Sequence, residues 1–428
     1  MSRNRRKDGP MLPPIQKIEV SEKHIRLRVV LTIVFLVIAV TSLIIAAVRF
    51  FSTGSGWRGV TVNSTDQKNT AGEIFFHYEI GQNGPAAGAE YRAISALYTE
   101  ASVKAYRLFQ ETEEFAGITN LASVNHRPNE EVRVEPELYR ALRTVSDSGS
   151  RLLFLAPVYD YYRNLFFCTD DSEIAAFDPT LNEEVREEFA QITAFTKDPE
   201  AVSLELLDGN RVILHVSEAY LAYAGEHGID TYLDFFWLKN AFIVDYLADV
   251  MIENGYTNGT FSSFDGFLRN LDPRGTSYRF ALYDCPDGDR VYTAGDWVYQ
   301  RAVSIVYLRN YPMNPLDSVH YYTLRDGSVR SPYIGADGNI QTALPQLVGV
   351  SESAGCAEIA LRLAELYIAP ALDTDALTAL RASDGIAALW IRDRILAYTD
   401  PILKPNRLLE NDTVRYTARE VAGKTTAP

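Results

Sequence analysis

The sequence predicts an α+β fold of mixed, largely antiparallel sheets with packed helices, preceded by one transmembrane helix. Three observations lead there. Helical periodicities are interspersed with hairpins, the clearest being VSLELL and RVILHV around Asp208-Gly209-Asn210. No long linker interrupts residues 71–409, so one domain of about 340 residues is the simplest organisation. Val29–Val48 is an uncharged run of twenty residues, long enough to cross a bilayer as a helix.

Charge is unevenly placed along the 428 residues. The net charge of −15 argues against a nucleic-acid partner, which needs a basic face. Residues 1–28 hold eight Lys/Arg against three acidic residues, a net of +5, which leaves −20 on the remainder. Basic residues ahead of the apolar run predict a cytoplasmic N-terminus and place everything after Arg49 outside. The run exceeds a typical signal-peptide core, and no small-x-small cleavage site precedes Arg49, so a retained anchor is the favoured reading. Cys168, Cys285 and Cys356 form no CxxC or Cys/His metal pattern. Their odd number argues against a full disulfide framework, and buried thiols are expected. Few cysteines outside the cytoplasm fit a bacterial cell-surface protein.

The chain divides into a basic cytoplasmic segment (1–28), the transmembrane helix (29–48), a Gly/Ser/Thr/Asn-rich linker (49–70), the extracytoplasmic domain (71–410) and a polar tail (411–428). The first strand is expected at Glu73–Ile80. A helix follows within 87–110, where Tyr91, Ile94, Leu97, Ala101, Ala105 and Leu108 recur every three or four positions. Thr119–Asn125 reads as a loop. Glu135-Pro136 opens a helix, since proline suits a first turn. Leu152–Phe167 is core, and Asn182–Ala194 is a helix. Strand pairs are expected around 285–289, around 325–327 and within Ile386–Tyr398. Helices are expected over Ala354–Ala369 and Asp373–Ala382.

The stretch from Asp234 to Asn270 carries the most chemistry. Lys239 enters a helix that is apolar around much of its circumference, which predicts burial. Asp245, Asp249 and Glu253 lie four apart on one face. Gly255 suits the left-handed position that ends a helix. A strand over Gly259–Phe264 and a turn at Asp265-Gly266 follow. A lysine entering a buried helix beside a glycine turn can hold an anion; a core helix with a solvated acidic edge is the plainer alternative.

In order, these segments resemble the ApbE family, the FAD:protein FMN transferases, over roughly 71–400. Ala71-Gly72-Glu73 stands where that family has Met-Gly-Thr. Thr119–Asn125 (TNLASVN) is similar to its Ser-x-Leu-Ser-x-Leu-Asn, and Val134–Leu138 (VEPEL) to its Val-Ser-Pro-Glu-Leu. Leu238–Asp245 (LKNAFIVD) aligns with Ala-Lys-Gly-Tyr-Ala-x-Asp, and Phe264-Asp265-Gly266 with a Gly-Gly-Asp strand end. His320–Gly327 falls on His-Ile-Ile-Asp-Pro-x-x-Gly, and Ala357–Arg362 on Ala-Asp-Ala-x-x-Thr.

The resemblance implies FAD as ligand, Mg²⁺ as metal, and FMN transfer to a Ser or Thr of a partner protein outside the cytoplasm. It carries catalytic roles to His320 and Asp245. It carries flavin-nucleotide contacts to Lys239, Thr119, Asp265, Gly266 and Arg362, and a metal ligand to Glu358. The departures fall on the chemistry. Glu358 stands for the family's metal-binding Asp, and Arg362 for its metal-binding Thr, where a guanidinium repels a cation. Arg362 either pairs with Glu358 one turn away or faces a diphosphate as a fixed charge. Asn240 and Asp265 each replace a glycine at which backbone would approach the ligand. Two functions therefore remain: a divergent FMN transferase with altered metal use, or a catalytically inactive flavin/nucleotide-binding or protein-interaction module.

Overall fold

A computed structural model describes residues 25–51, 54–83, 86–286, 288, 290–313, 317, 319–410 and 414–421; in the first stretch, side chains are described over 30–43 only. The chain forms two units, Met1–Thr53 and Gly54–Pro428. In the first, α1 runs Ile25–Phe51. Its described apolar side chains are exposed on all sides, from Leu31 at 45% to Leu43 at 74%. Among the described residues no helix is long and apolar enough to cross a membrane; the expected span 29–48 extends past the side chains described on both sides.

The second unit is built on a nine-stranded sheet. In spatial order its strands are β1 (Gly56–Val60), β2 (Ile74–Ile80), β6 (Gly259–Ser263), β7 (Phe267–Asn270), β10 (Val303–Arg309), β13 (Gln346–Ser351), β14 (Ala387–Arg392), β15 (Ile395–Tyr398) and β17 (Thr417–Glu420). Neighbours pair antiparallel except β15 with β17. Three smaller sheets accompany it among the described residues. One holds β3 (Glu131–Arg133), β4 (Val202–Leu207) and β5 (Arg211–Val216). The second holds β8 (Tyr278–Asp284), β9 (Tyr292–Tyr299) and β16 (Arg407–Leu408), and the last β11 (Tyr322–Thr323) and β12 (Val329–Arg330).

Among the described residues of this unit ten α-helices follow: α2 (Ala87–Leu108), α3 (Leu121–Asn125), α4 (Pro136–Ser148), α5 (Ala156–Tyr162), α6 (Asp171–Ile174), α7 (Glu183–Lys197), α8 (Glu218–His227), α9 (Lys239–Glu253), α10 (Cys356–Tyr367) and α11 (Thr374–Ser383). α9 lies at the centre, packed against α2, α10, β6 and β7. Its Ala241, Phe242, Val244, Leu247 and Met251 are buried in the larger core, as its apolar circumference requires. Gly255 takes φ +79° just past its end. A second core lies on the other face of the sheet, where Trp297 and Tyr299 pack with Ile305, Val350 and Leu389.

Three stretches differ from expectation. β1 lies inside the segment read as a linker, because Val60 is buried and all five residues pair with β2. Leu121–Asn125 is a short helix rather than a loop: Asn120 and Ser123 cap it reciprocally. The tail read as polar pairs through β17, because Val414 and Tyr416 within it are buried. No disulfide joins Cys168, half-buried, or Cys356, buried.

Candidate functional site

Three groups of side chains surround α9, and the residues expected to form one site, Arg362 and Thr119 apart, are divided among them. The first is at its N-terminus. The Lys239 ammonium donates to Glu111 Oε2 at 2.8 Å. Arg163 donates to Glu111 Oε1 at 3.2 Å and also pairs with Asp234, whose carboxylate is fully buried. Burial opposes the charge on Lys239, but Asp234 and Glu111 outweigh it and hold its pKa above the ordinary lysine value. Burial likewise pushes Glu111 up, and Lys239 and Arg163 reverse this, leaving it below the usual carboxylate range. Asp234 stays raised, by burial foremost. α3 positions both acids: Asn125 Nδ2 donates to the carbonyls of Glu111 and Leu233, each at 2.9 Å. Asp234 Oδ1 also accepts from the Phe236 N–H at 2.8 Å, in a turn that holds Phe236 at φ +44°. A bulky residue in that region is strained, and its ring stacks on Tyr159 at 4.5 Å.

The second group joins α9 to α10. Asp245 Oδ1 accepts from the Cys356 N–H at 2.9 Å and Oδ2 from the Ala357 N–H at 2.8 Å. These are two of the free donors at a helix start, where a negative charge is favoured. Arg269 donates to Asp245 at 3.2 Å and pairs with Asp249 at 3.0 Å, bridging the acidic stripe. Burial pushes the Asp245 pKa up against the pull of Arg269 and the two N–H groups. Gly355 lies directly over this carboxylate, and a Cβ there would collide with it. Beside it is a cleft of about 280 Å³ that includes Glu137, Arg140, Asp245, Asp249, Arg269 and Glu358. It lies at the lower edge of ligand-pocket sizes, about 300–1,000 Å³. Four of these side chains are carboxylates and two are guanidiniums, and Arg269 is engaged by Asp245 and Asp249.

The third group closes over the two substituted glycines. Asn240 Nδ2 donates to Asp265 Oδ2 at 2.9 Å. The remaining side-chain oxygen of each is buried without a partner. Protonation of Asp265 removes a buried charge with a hydrogen-bond donor at only one of its oxygens. Burial pushes the Asp265 pKa in that direction, against Ser263 and His320. The His320 ring is tilted over Phe264, centroids 4.8 Å apart. Gly266, at φ +113°, leaves room for the Tyr307 backbone, whose N–H donates to its carbonyl at 2.8 Å. Strand packing therefore uses this glycine.

Asp245 and Glu358 thus share a cleft, and Asn240, Asp265 and His320 form a second cluster. Lys239 belongs to a separate network of charges. Arg362 pairs with Asp384 at 3.0 Å instead of the expected Glu358, because Asp384 follows α11 beside it. Thr119 is half-buried, its carbonyl accepting from the Glu135 N–H at 3.3 Å. Glu111, Asn125, Arg163 and Asp234 escaped the sequence reading. Arg163, a lone cation inside the aromatic run 152–167, was the available signal.

A divalent cation does not fit this arrangement. Glu358 is exposed, and both Asp245 oxygens accept from backbone N–H groups. Among the described residues no three His, Cys, Asp or Glu side chains gather with metal-binding geometry.

No family model matches the sequence, and no curated protein does. Solved structures do. The ApbE protein of Thermotoga maritima superposes with a TM-score of 0.51 at 13% identity, covering 74% of this chain and 91% of its own. The flavin transferase ApbE of Vibrio cholerae gives 0.51 at 14% identity, covering 79% and 94%. The chain therefore has an ApbE-like fold in divergent form.

Proposed function

We propose that this chain is a membrane-anchored, extracytoplasmic protein of the ApbE fold that has given up metal-assisted FMN transfer and works as a binding module, with a flavin nucleotide as its ligand. The flavin rests on the family resemblance and on likeness to proteins described as flavin transferases. The observation that carries the loss of transfer is the seating of Asp245 on the start of α10. It ties up the carboxylate beside Glu358, while Arg362 adds a cation where the family has a metal-binding threonine. The anchor is supported by the exposed apolar circumference of α1 and the basic segment before it. A working transferase is the second reading; Asp245 and Glu358 sharing one cleft favours it.

Titrating the purified full chain with FAD, following flavin fluorescence with and without Mg²⁺, separates the two. Binding indifferent to Mg²⁺ is expected. Binding that Mg²⁺ strengthens would restore the transferase reading, and no binding at high micromolar FAD would remove the flavin ligand.

A further inference from the structure

The outer face of the sheet is covered by the second core over β10, β13 and β14, but not at the β1–β2 end. Register fixes what that end presents. Trp57 lies opposite Glu79 and Gly59 opposite His77. Phe75 lies opposite Ser262 and His77 opposite Thr260. Opposed residues in antiparallel strands share a face. Ile74, Phe76, Tyr78 and Ile80 point to the buried side, so Trp57, Phe75 and His77 point out. Trp57 is 42% exposed and Phe75 46%.

We propose that this face rests on the outer surface of the membrane entered by α1, with Trp57 and Phe75 as its interfacial contacts. The inference rests on the anchor reading above. Chain length ties the two together. Only residues 52–55 separate Phe51, the end of α1, from Gly56, the start of β1. Fully extended, that connection reaches at most about 18 Å. The covalent linkage alone, whatever the arrangement of the two units, keeps Gly56 within that reach of Phe51.

The chemistry of the face suits a membrane surface. Tryptophan presents an apolar body and a polar N–H, and it concentrates at membrane–water boundaries. The Trp57 ring is held edge-on against Tyr278, centroids 5.9 Å apart, so it is presented in a fixed orientation. Glu79, opposite Trp57 in the register, is neutralised by Arg274 at 2.6 Å. Contact therefore depends on the aromatic rings and little on lipid charge.

The protein carries its own probe. Of its four tryptophans, Trp237, Trp297 and Trp390 are buried and α1 has none, so lipid-borne quenchers reach Trp57 alone. The full chain is reconstituted into phosphatidylcholine vesicles, plain or brominated in the upper acyl chain, and tryptophan emission is compared. Flotation with the vesicles and resistance to alkaline carbonate check the anchor separately. Expected is a loss of about a quarter of the emission in brominated vesicles, one tryptophan of four. The loss is unchanged by high salt and absent in Trp57→Phe. Anchored protein with equal emission in both vesicles overturns the inference while leaving the anchor standing. Emission that varies instead with protein-to-lipid ratio assigns the face to a second copy and also overturns it. Failure to float removes the anchor, and the inference with it.

Discussion

At the scale of single residues, Asp245 does what a bound anion does at a helix start: it accepts two backbone N–H groups and faces a guanidinium. Asp245→Ala leaves those donors and Arg269 without their acceptor, and urea unfolding should show a loss of about 3–5 kcal/mol. Asp245→Asn keeps one acceptor and should cost less, about 1–2 kcal/mol. A fully wild-type midpoint in the alanine variant would contradict the capping role. Asp265 makes a second claim, about pH. Burial raises its pKa in the folded chain, so between the unfolded and folded values the native state holds a proton the unfolded chain has lost. Its contribution is full below the ordinary carboxylate pKa and falls as pH rises through the raised value. Asp265→Asn keeps a permanent donor facing Asn240 and should flatten that decline in stability. An identical slope in the variant would show that Asp265 is ionised throughout.

At the scale of elements, local signals were legible and meeting points were not. α9 could be read from its apolar circumference, and its end from Gly255. The β4–β5 hairpin could be read from Asp208-Gly209-Asn210, where Gly209 and Asn210 indeed take positive φ. β1 and β17 were missed because each has few buried side chains in a polar stretch; pairing with a neighbour decides them. Residues 414–421 illustrate the cost of that omission. Val414 and Tyr416 are 2% and 3% exposed, and the Tyr416 hydroxyl donates to the buried Asp284 at 2.9 Å. Ending the chain at Glu410 should therefore destabilise it by about 3–5 kcal/mol in thermal or urea unfolding. An unaltered transition would return the segment to the status of a frayed tail.

At the scale of the whole molecule, the order of weak motifs pointed to the ApbE fold, and the superposed structures bear the same architecture. The candidate site was only half legible. Sequence order named Lys239, Asp245, Asp265 and Glu358, but partners such as Glu111, Asp234 and Asp384 are chosen by packing between distant segments. Those partners change the meaning of the residues. Lys239 is neutralised, Asp245 is a cap, Asn240 closes on Asp265, and Arg362 pairs with Asp384. Each of these side chains finds its partner inside the fold.

The central claim is the proposed loss of metal-assisted transfer, carried by Asp245 seated on the start of α10 beside Glu358. The most direct measurement compares FAD affinity with and without Mg²⁺ for the wild-type chain and for the Glu358→Asp/Arg362→Thr double variant. The account predicts no Mg²⁺ effect on the wild type. A tenfold or greater tightening by Mg²⁺ in the wild type, about 1.4 kcal/mol, would contradict it, whatever the double variant does.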